Sequence, residues 1–360
     1  MKNKTRIAIG AGGTGGHLFP AAEIKKELER KGYDVWLITD SRGKKFARTF
    51  EKISVIAGGQ WSGEGFLYRL NSLFKLGIGF VQTLYHMLKI RPSAVIGMGG
   101  YISVPVVLWG WLLRKKTLIH NADSVLGNAN MLLAHFADVT AVSFRDTVGA
   151  PKDAVWTGLP LREDVRKIAG TPYVSPFRKI DIVVFGGSQG VHFLSRSVPE
   201  ALAKLTIDIK RKLFVHHQVM EEEIAEIERF YAAKNIKSEV KSFFTNSAEL
   251  IAKCSLFIGL SGASTVNEIG TIGRPAVFIP LNHKDGQQVE NAIRIVGNEG
   301  ARMLLKSELT PKRLFKILSC LFNNPILLET MQKNARIFDA KNNAALNVAN
   351  LIDTLLGGRK

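Results

Sequence analysis

Cysteine is nearly absent from this sequence of 360 residues, which contains only Cys254 and Cys320. Two cysteines cannot form a disulfide framework, and no C-x-x-C pair is present that could hold a metal ion. Disulfide-rich proteins belong to oxidising compartments, so this cysteine content favours a reducing, cytoplasmic compartment.

Long hydrophobic runs are also missing. The longest, at residues 76–88 and 104–113, are shorter than the roughly 20 apolar residues that span a bilayer. The basic start MKNKTR resembles the first part of a signal peptide, but the apolar run after it is short and leads into glycines. We interpret this run as a first strand, and the sequence predicts a soluble or peripheral protein.

Several motifs of metal and nucleotide chemistry are missing as well. The sequence contains no G-x-x-x-x-G-K-[ST] loop, no H-E-x-x-H pair and no D-x-D pair. These absences argue against a P-loop nucleotidase, a zinc protease and a transferase that holds a metal ion against a diphosphate. His216 and His217 are adjacent on an expected strand and would point to opposite faces, which argues against a metal site formed by the two rings. We expect no metal and no cofactor.

Acidic residues are few relative to basic ones, and the net charge is +18 with a pI near 9.9. This excess favours an anionic partner, which could be nucleic acid, an acidic membrane or a phosphorylated substrate. The imbalance is strongest at residues 66–117, with seven basic residues, no acidic residue and interleaved aromatic side chains. That pattern fits an anionic membrane surface or nucleic acid, and it also fits core aromatics among solvated lysines.

Glycine, in contrast, is concentrated in two loops. GAGGTGGH at residues 10–17 follows the apolar run 7–9, and GGSQG at residues 186–190 follows the run 180–185. Each loop lies at a strand-to-helix junction, where glycines let the backbone approach an anion and the helix presents free N–H groups. Two such loops in 360 residues predict two nucleotide-binding-like domains that face each other across a cleft.

Short β-branched runs alternate with helical stretches along the whole chain. In the first half the runs are 7–9, 35–39, 94–96, 117–119 and 139–142, and in the second they are 180–185, 213–215, 256–258 and 276–279. This alternation predicts an α/β protein with parallel sheets. Residues 162–179 contain prolines, a glycine and mixed charges without an apolar period, and we interpret them as a linker. Residues 335–356 form one long helical pattern.

The first loop leaves two interpretations open. Its spacing matches G-x-G-x-x-G, and Asp34 and Asp40 lie near the position of the acid that contacts the ribose of a dinucleotide, so NAD binding stays possible. His17 follows the last glycine and faces the expected cleft, where an imidazole can act as a general base. The alternative role for His17 is to cap its own helix or bind an anion.

Three further polar or glycine-rich segments directly follow expected strands. GMGGY at residues 97–101 is a glycine turn with or without a ligand. SGASTVNE at residues 261–268 places Glu268 where a carboxylate can accept two ribose hydroxyls or complement the helix dipole. PLNHKDGQQ at residues 280–288, followed by Asn291, offers amides and a lysine that suit sugar hydroxyls and phosphates, or it is a solvated loop.

Taken together, these five blocks, in their order along the chain and over nearly its whole length, resemble the MurG family of bacterial N-acetylglucosaminyltransferases. The resemblance implies a GT-B fold with two Rossmann-like domains. It implies an N-terminal acceptor and membrane-docking domain at residues 1–163 and a C-terminal UDP-sugar-binding domain at 164–336. A last helix at about 337–360 would pack back on the first domain.

The resemblance also implies a function. The family transfers N-acetylglucosamine with inversion from UDP-N-acetylglucosamine to lipid I, undecaprenyl-pyrophosphoryl-MurNAc-peptide, and so makes lipid II for peptidoglycan. It works peripherally at the cytoplasmic face of the bacterial inner membrane, on an anionic surface. Nucleic acid is not an expected partner.

The family's site residues transfer to matching positions here. His17 would be the catalytic base. Donor binding would involve Thr14, Gly15, Gly16, Asp123, Arg162, Ser188, Gln189, Phe243, Phe244, Ala263, Thr265, Glu268, Gln287, Gln288 and Asn291. The acceptor diphosphate would meet Gly13, Gly99, Gly100 and Tyr101. Membrane contact would involve Phe74, Lys75, Phe80, Trp109, Trp111, Arg114, Lys115 and Lys116.

The chain departs from the family pattern in three places. The usual His-Glu-Gln-Asn block is HNAD at residues 120–123, the arginine before Ser-Gly-Ala is Leu260, and the His-Gln-Ser-Gly-Lys loop is HQVME at 217–221. Four alternatives therefore stay open: another glycosyltransferase or an epimerase of the same fold, a nicotinamide oxidoreductase, and a non-catalytic binder of lipid diphosphates.

Overall fold

The computed structural model describes residues 4–13, 15–47, 49–58, 66–187, 192–281 and 286–358. The chain divides into two units: unit 1 is Met1–Arg162 with Asn342–Lys360, and unit 2 is Glu163–Lys341. Each unit is built on one parallel sheet with helices packed against it. The predicted α/β class with two Rossmann-like sheets is confirmed.

Among the described residues, unit 1 forms a seven-stranded sheet in the order β3-β2-β1-β4-β5-β6-β7. Its strands are Arg6–Gly10 (β1), Asp34–Thr39 (β2), Ile53–Val55 (β3), Ala94–Gly97 (β4), Lys116–Asn121 (β5), Val139–Val142 (β6) and Val155–Trp156 (β7). The helices between them are Gly15–Arg30 (α1), Ser41–Phe46 (α2), Phe66–Ile90 (α3), Gly100–Leu112 (α4) and Asn128–Leu133 (α5). Neighbouring strands are parallel, so the connections run back across the sheet through helices.

The central strand β1 explains why this sheet is buried on both faces. Ile7 and Ile9 point into one cluster with α1, whereas Ala8 points into a second cluster on the opposite face with Ile102 and Val106 of α4. Because side chains of a strand alternate between faces, an unbroken apolar run such as IAI is typical of a strand covered by helices on both sides.

Within the described ranges, unit 2 forms a six-stranded parallel sheet in the order β10-β9-β8-β11-β12-β13. Its strands are Ile180–Phe185 (β8), Leu213–Gln218 (β9), Lys237–Lys241 (β10), Leu256–Gly259 (β11), Ala276–Phe278 (β12) and Ala301–Met303 (β13). Its helices are Glu163–Ile168 (α6), His192–Ala203 (α7), Ile207–Lys210 (α8), Ile224–Ala233 (α9), Ser247–Lys253 (α10), Ala263–Ile272 (α11), Gln287–Gly297 (α12), Pro311–Phe322 (α13) and Pro325–Ala335 (α14). Single 3-10 turns lie at Glu221–Glu223 and Lys306–Glu308.

The segment 162–179, which the sequence predicts as a linker, is structured as part of unit 2. Helix α6 buries Val165 and packs against α10 and α11. The fully buried Arg274 donates hydrogen bonds to the carbonyls of Ala252, Gly273 and Thr171, each at 2.8 Å. Two of these carbonyls belong to helix C-termini, where a guanidinium is stabilised by unpaired carbonyls. The linker interpretation was wrong because it relied on local composition and could not detect this long-range contact.

The helical pattern predicted over residues 335–356 is interrupted. Helix α14 ends at Ala335, and the last helix, Ala344–Leu355 (α15), begins after an irregular stretch. The N–H groups of Ile337 and Phe338 donate to the carbonyl of Gly270 at 3.1 Å, which draws the chain out of a helical path. The side chain of Asn343 then caps α15 by accepting from the N–H of Leu346.

Helix α15 is part of unit 1, where it packs against α1. Val348, Ala349 and Ile352 are buried in the same cluster as Ile7 and Ile9 of β1. The irregular stretch before it also contributes, because the amides of Asn342 and Asn347 both donate to the carbonyl of Thr157 at 3.1 Å.

Candidate active site

The first glycine loop of unit 1 leaves β1 beside the glycine turn that leaves β4. The two strands are paired with Gly10 opposite Gly97, so their loops emerge together at the carboxyl edge of the sheet. Ligands of open parallel sheets bind at this edge. Thr14 lies outside the described residues, whereas Gly15 is buried and Gly16 is exposed at the start of α1.

His17 lies between these two loops and is half-buried. Its Nδ1 is 3.3 Å from the carbonyl oxygen of Gly12, and its ring packs against Gly99 and Gly100. Because a carbonyl oxygen only accepts hydrogen bonds, this contact directs an Nδ1 proton to Gly12, so that in the neutral ring the lone pair is on Nε2. This is the tautomer in which Nε2 can act as a general base.

The backbone conformation requires glycine at Gly99 and Gly100. Their φ angles are +90° and +69°, which residues with a side chain rarely adopt, and the His17 ring lies in van der Waals range of both positions. Gly13 also has a positive φ of +82°, and its N–H donates to Oδ1 of Asp40 at 3.2 Å. The backbone N–H of Gly13 is thus already hydrogen-bonded within the protein.

Asp40 organises a polar cluster at this edge, at the end of β2. Its carboxylate accepts hydrogen bonds from the N–H of Gly13, the N–H of Gly43 and the hydroxyl of Tyr101. Burial alone would raise the pKa of the Asp40 carboxyl, but these hydrogen bonds and the charge of Arg42 outweigh it and hold the pKa below its usual value. Burial and the bond to Asp40 raise the pKa of Tyr101 to about 12, so its hydroxyl stays protonated.

The altered block HNAD at residues 120–123 has a clear structural role. The Asn121 amide donates to the carbonyls of Asp123 at 2.7 Å and Val125 at 3.1 Å, and its oxygen accepts from Gly127 and Asn130. A glutamate at position 121 could not donate to those two carbonyls. Asp123 is half-buried in the turn that Asn121 holds.

His120 is fully buried behind Gly99 and Asn130 of this site. Its Nε2 donates to the carbonyl of Gly158 at 3.2 Å, while its Nδ1 has no hydrogen-bond partner within the described structure. Burial lowers the pKa of His120 to about 4, and the nearby His17 ring acts in the same direction. His120 is therefore neutral, and it does not compete with His17 for a proton at neutral pH.

The candidate donor site of unit 2 is at the corresponding edge of the second sheet. Gly187, with a φ of +81°, follows β8, and Ser188 and Gln189 lie outside the described residues. The strand beside β8 in the sheet, β11, leads through Gly262 into α11, which carries Ala263, Thr265 and Glu268 in its first turns. Glu268 and Thr265 are both half-buried.

The amide residues after β12 support this edge. Oε1 of Gln288 accepts from the N–H of Leu281 at 3.0 Å, and the backbone carbonyl of Gln288 accepts from the hydroxyl of Ser261 at 2.7 Å. Asn291 is fully buried and donates to the carbonyl of Ser261 at 3.2 Å. Gln288 and Asn291 thus join two loops, while Gln287 is half-buried at the start of α12.

The two phenylalanines after β10 differ in position. Phe243 is 59% exposed, whereas Phe244 is buried and contacts the rings of Phe185 and His216. The amide of Gln218 donates to the carbonyl of Ser242 at 3.1 Å and fixes the start of this turn. Only Phe243 therefore presents a broad aromatic surface. Arg162, which ends the first of the two segments of unit 1, is half-buried.

Helix α3 carries an unusual exposed surface. Phe74, Ile78, Val81, Tyr85 and Leu88 recur at alternating intervals of four and three residues and are all exposed; we call them the apolar stripe. This spacing places them on one face of the helix, where a water-soluble helix normally carries polar residues. No helix of the described ranges has the length and apolarity that crossing a membrane would take.

The predicted membrane residues divide into two groups. Phe80 and Trp109 are half-buried, and the Trp109 indole donates to the Phe80 carbonyl at 2.8 Å, so this pair joins α3 to α4. Trp111 is 48% exposed and contacts Phe136 edge-on. The remaining predicted residues, Phe74, Lys75, Arg114, Lys115 and Lys116, are exposed except for Lys115, which is half-buried.

Sequence reasoning missed several residues that the fold brings to these surfaces. Asp40 was considered only as a dinucleotide acid, and Arg42 and Asn130 were not singled out. Four members of the apolar stripe were also missed, although their 4-3-4-3 spacing was a detectable signal. Among the described residues, no group of three His, Cys, Asp or Glu side chains could hold a metal ion.

Comparison with known families accounts for nearly all of the chain. Residues 7–142 match the glycosyltransferase family 28 N-terminal domain, and residues 181–351 match the glycosyltransferase family 28 C-terminal domain. A relative from Sinorhizobium fredii, named UDP-N-acetylglucosamine--N-acetylmuramyl-(pentapeptide) pyrophosphoryl-undecaprenol N-acetylglucosamine transferase, is 37% identical over 99% of this chain and 97% of its own. A relative of the same name from Methylorubrum populi is 38% identical over 95% of this chain and 96% of its own.

Solved structures agree with the sequence relatives. The crystal structure of Acinetobacter baumannii MurG is similar with a TM-score of 0.78 and 27% identity, over 97% of this chain and 99% of that one. A UDP-N-acetylglucosamine 2-epimerase is similar with a TM-score of 0.67 at 10% identity, over 99% and 98% of the two chains, which indicates the shared fold alone.

Proposed function

The chain belongs to glycosyltransferase family 28 and, within it, to the MurG family, and from that premise we propose its reaction. It is a hexosyltransferase that moves N-acetylglucosamine from UDP-N-acetylglucosamine to the N-acetylmuramyl group of lipid I, undecaprenyl-pyrophosphoryl-MurNAc-peptide. The product is lipid II, and the reaction is a step of peptidoglycan synthesis.

The observation that carries this proposal is the arrangement of His17. A histidine whose Nδ1 proton is directed to the Gly12 carbonyl, and whose Nε2 has no hydrogen-bond partner among the described residues, lies against the glycine turn of Gly99 and Gly100. A nicotinamide oxidoreductase has no use for a base at that point, and its ribose acid would be Asp40. The Asp40 carboxylate instead holds Gly13, Gly43 and Tyr101. Asp34 is the first residue of β2 and lies at the amino ends of the strands, away from the glycine loops.

The chemistry follows from these parts. A hydroxyl oxygen of the acceptor sugar attacks the anomeric carbon of N-acetylglucosamine, while the bond from that carbon to the UDP oxygen breaks. Attack opposite the leaving group inverts the configuration. Nε2 of His17 takes the proton from the attacking hydroxyl, and UDP leaves with the electron pair of the broken bond. A positioned base of this kind contributes about 10²- to 10⁴-fold in rate.

Negative charge develops on the leaving diphosphate and must be stabilised. Backbone N–H groups of the loop after β8, the N-terminal end of α7 and basic side chains are suited to that role. In this proposal unit 2 holds the donor: Glu268 accepts the ribose hydroxyls, and Phe243 stacks on the uracil. Phe244, Gln288 and Asn291, which are buried or already hydrogen-bonded, support the donor site from behind. The other donor contacts are Thr14, Gly15, Gly16, Asp123, Arg162, Ser188, Gln189, Ala263, Thr265 and Gln287.

We further propose that unit 1 binds reversibly to an anionic membrane surface on the cytoplasmic face. The apolar stripe and Trp111 offer apolar side chains for insertion. Lys75 and Lys89 lie on α3 with the stripe, and Arg114 follows the end of α4, which carries Trp111. Each basic residue near an anionic surface contributes about 1 kcal/mol, which together with partial insertion of apolar side chains supports reversible binding. Such binding would bring unit 1 to an acceptor anchored by its lipid chain.

The decisive experiment measures UDP release from UDP-N-acetylglucosamine by the purified full-length protein, with and without a short-chain lipid I analogue. We expect UDP release that requires the acceptor and a product larger by one N-acetylhexosamine. Release without acceptor, accompanied by a change in the free sugar, would indicate an epimerase instead. Binding of the analogue without UDP release would indicate a non-catalytic binder of lipid diphosphates, and another sugar acceptor in place of lipid I would indicate a related transferase.

A further inference from the structure

We propose that Arg42 is a ligand of the acceptor's diphosphate, held in place by Tyr101 and Asp40. This inference rests on the proposed function, because it assigns the anion of that function's acceptor to one side chain. It changes the expected role of Tyr101 from a ligand to a support.

The position of Arg42 follows from the strand order. Residues 40–42 follow β2, the first glycine loop follows β1 and Tyr101 follows β4, and these three strands are neighbours in the sheet. Arg42 thus lies at the same sheet edge as Gly13 and His17, although neither sequence spacing nor local pattern connects them. Nη2 of Arg42 donates to the Tyr101 hydroxyl at 2.7 Å, and Nε lies 3.4 Å from Oδ2 of Asp40.

The hydrogen bonds of the Tyr101 hydroxyl leave it little capacity to bind a substrate. Its single proton is donated to Oδ2 of Asp40, and its oxygen accepts from Arg42. A phenol has only one proton to donate, so Tyr101 cannot donate to a phosphate oxygen while it donates to Asp40. The N–H of Gly13 is likewise directed to Asp40. Two of the four residues predicted to meet the diphosphate, Gly13 and Tyr101, are therefore already hydrogen-bonded to Asp40.

Arg42 differs from them in capacity and exposure. A guanidinium has five N–H donors in a fixed fork, and the contacts with Tyr101 and Asp40 use two of them. The Arg42 side chain is 43% exposed, whereas that of Asp40 is 5% exposed. The cluster thus buries the negative charge and presents the positive charge, in a geometry that suits the paired oxygens of a phosphate.

The roles within the cluster are distinct. Arg42 would contact the diphosphate directly, whereas Asp40 and Tyr101 are positioning residues that fix its side chain. Fixing a long side chain before binding reduces the entropy lost on binding, which is the reason to expect a measurable contribution from the Tyr101 hydroxyl.

The main test compares Arg42→Gln with Lys45→Gln in the full-length protein. Lys45 is exposed on the same short helix, so the control removes the same charge three residues away. We expect Arg42→Gln to raise the KM for the lipid I analogue about 10- to 100-fold, as for loss of a charged hydrogen bond, and to leave the KM for UDP-N-acetylglucosamine unchanged. Lys45→Gln should match the parent in both. Equal effects of the two substitutions would overturn the proposal.

A binding assay separates this inference from the proposed function. Farnesyl diphosphate serves as the diphosphate probe, with saturating UDP present to occupy the nucleotide site, and phosphatidylglycerol vesicles serve as the alternative source of phosphate. Arg42→Gln should weaken farnesyl diphosphate binding and leave vesicle binding unchanged. Loss of vesicle binding alone would assign Arg42 to lipid headgroups and overturn the proposal. A parent protein without transferase activity would refute the proposed function, while this assay would still decide whether Arg42 binds a diphosphate.

A separate experiment tests the positioning role of Tyr101. Tyr101→Phe keeps the ring and removes the hydroxyl, so it should raise the acceptor KM about 2- to 10-fold, as for a neutral hydrogen bond. Combined with Arg42→Gln, Tyr101→Phe should add nothing further, because the side chain that it positions is gone. Additive effects would show that Tyr101 acts on the acceptor by itself and would contradict its assignment as a support.

Discussion

The hydroxyl of Tyr33 donates a 2.5 Å hydrogen bond to the carboxylate of Asp353, and so joins the turn after α1 to the last helix of the chain. Nζ of Lys31 approaches the other carboxylate oxygen at 3.3 Å. Next to these polar contacts, Ile352 is buried in the core of unit 1. Helix α15 is therefore held to unit 1 by both specific polar contacts and apolar packing.

The first prediction tests that attachment. Asp353→Ala should lower the free energy of unfolding of unit 1 by about 1–2 kcal/mol, because it removes a charged hydrogen bond from a partly exposed site. Ile352→Ala should cost about 2–5 kcal/mol, since it leaves a cavity. Urea unfolding measures both. Thr354→Ala, at an exposed position on the same helix, should cost less than about 0.5 kcal/mol. Equal stability of all three variants would show that α15 is only loosely attached.

The second prediction concerns the donor. UDP-N-acetylglucosamine should raise the melting temperature and NADH should not, since at 100 times Kd a ligand stabilises the folded state by about 2.7 kcal/mol. Glu268→Ala should abolish most of that shift by removing the acceptor of the ribose hydroxyls. Glu249→Ala, which removes an exposed carboxylate of the same unit, should keep it. An unchanged shift in Glu268→Ala would make that glutamate a helix-dipole residue only.

The third prediction concerns the base. His17→Gln should lower kcat about 10²- to 10⁴-fold, because a general base is lost. The Kd for UDP-N-acetylglucosamine should stay at the parental value, measured by isothermal titration calorimetry. His135→Gln replaces an exposed histidine of the same unit and serves as the matched control. Parental turnover by His17→Gln would show that His17 only caps its helix or binds an anion.

The fourth prediction is a pH dependence of stability that arises from two buried histidines. Burial lowers the pKa of His120 to about 4 and that of His217 to about 3, whereas the pKa in the unfolded chain is about 6.5. Below pH 6.5 the unfolded chain binds more protons than the folded one, so stability falls as pH falls. The slope is at most about 1.4 kcal/mol per pH unit for each histidine.

Urea unfolding between pH 7.5 and 5 would measure this slope. His217→Gln should make the slope shallower in unit 2, whatever its effect on stability at pH 7.5. His135→Gln, at an exposed histidine of unit 1, is the control. Stability that is constant across this range would mean that both buried rings take up protons in the folded state.

The fifth prediction concerns the membrane. Sedimentation with phosphatidylglycerol vesicles should show binding that weakens with salt, because charges are screened over about 10 Å at 0.1 M ionic strength. The double substitution Val81→Ser and Leu88→Ser should weaken it further by removing two members of the apolar stripe. Val174→Ser, at a still more exposed valine of unit 2, is the control.

A charge variant completes that experiment. Glutamate at Arg114, Lys115 and Lys116 should reduce vesicle binding while UDP-sugar binding persists, since none of these three residues is a proposed donor contact. If neither the triple variant nor the double serine variant binds vesicles less than the parent, α3 and α4 are not the docking surface.

Much of the fold was predictable because its signals are local. The strand β1 and the glycines after it are adjacent in sequence, and the central strands of both sheets carry their own apolar runs, whereas an edge strand such as β10, with the sequence KSEVK, does not. The site was predictable only where its residues belong to a local motif, as His17 does in the first glycine loop. The link from Asp40 to Tyr101 was not predictable, because it depends on β2 and β4 lying on either side of β1, and strand order is not encoded in any local pattern.

Buried polar residues were the other source of error. Arg274 is fully buried, although arginine is almost always at the surface. Its partners are carbonyls of residues 171, 252 and 273, which only the folded chain brings together. Asn121 was considered a departure from a family pattern, and its need for an amide donor became evident only from the carbonyls of Asp123 and Val125.

The attachment of α15 also affects the order in which this protein can mature on the ribosome. Unit 2 is one continuous segment, so every residue of its core is synthesised by the time Lys341 is added. Unit 1 is begun first, yet its core lacks Val348, Ala349 and Ile352 until the last helix is made. The unit that translation starts first is therefore the unit whose core residues are completed last.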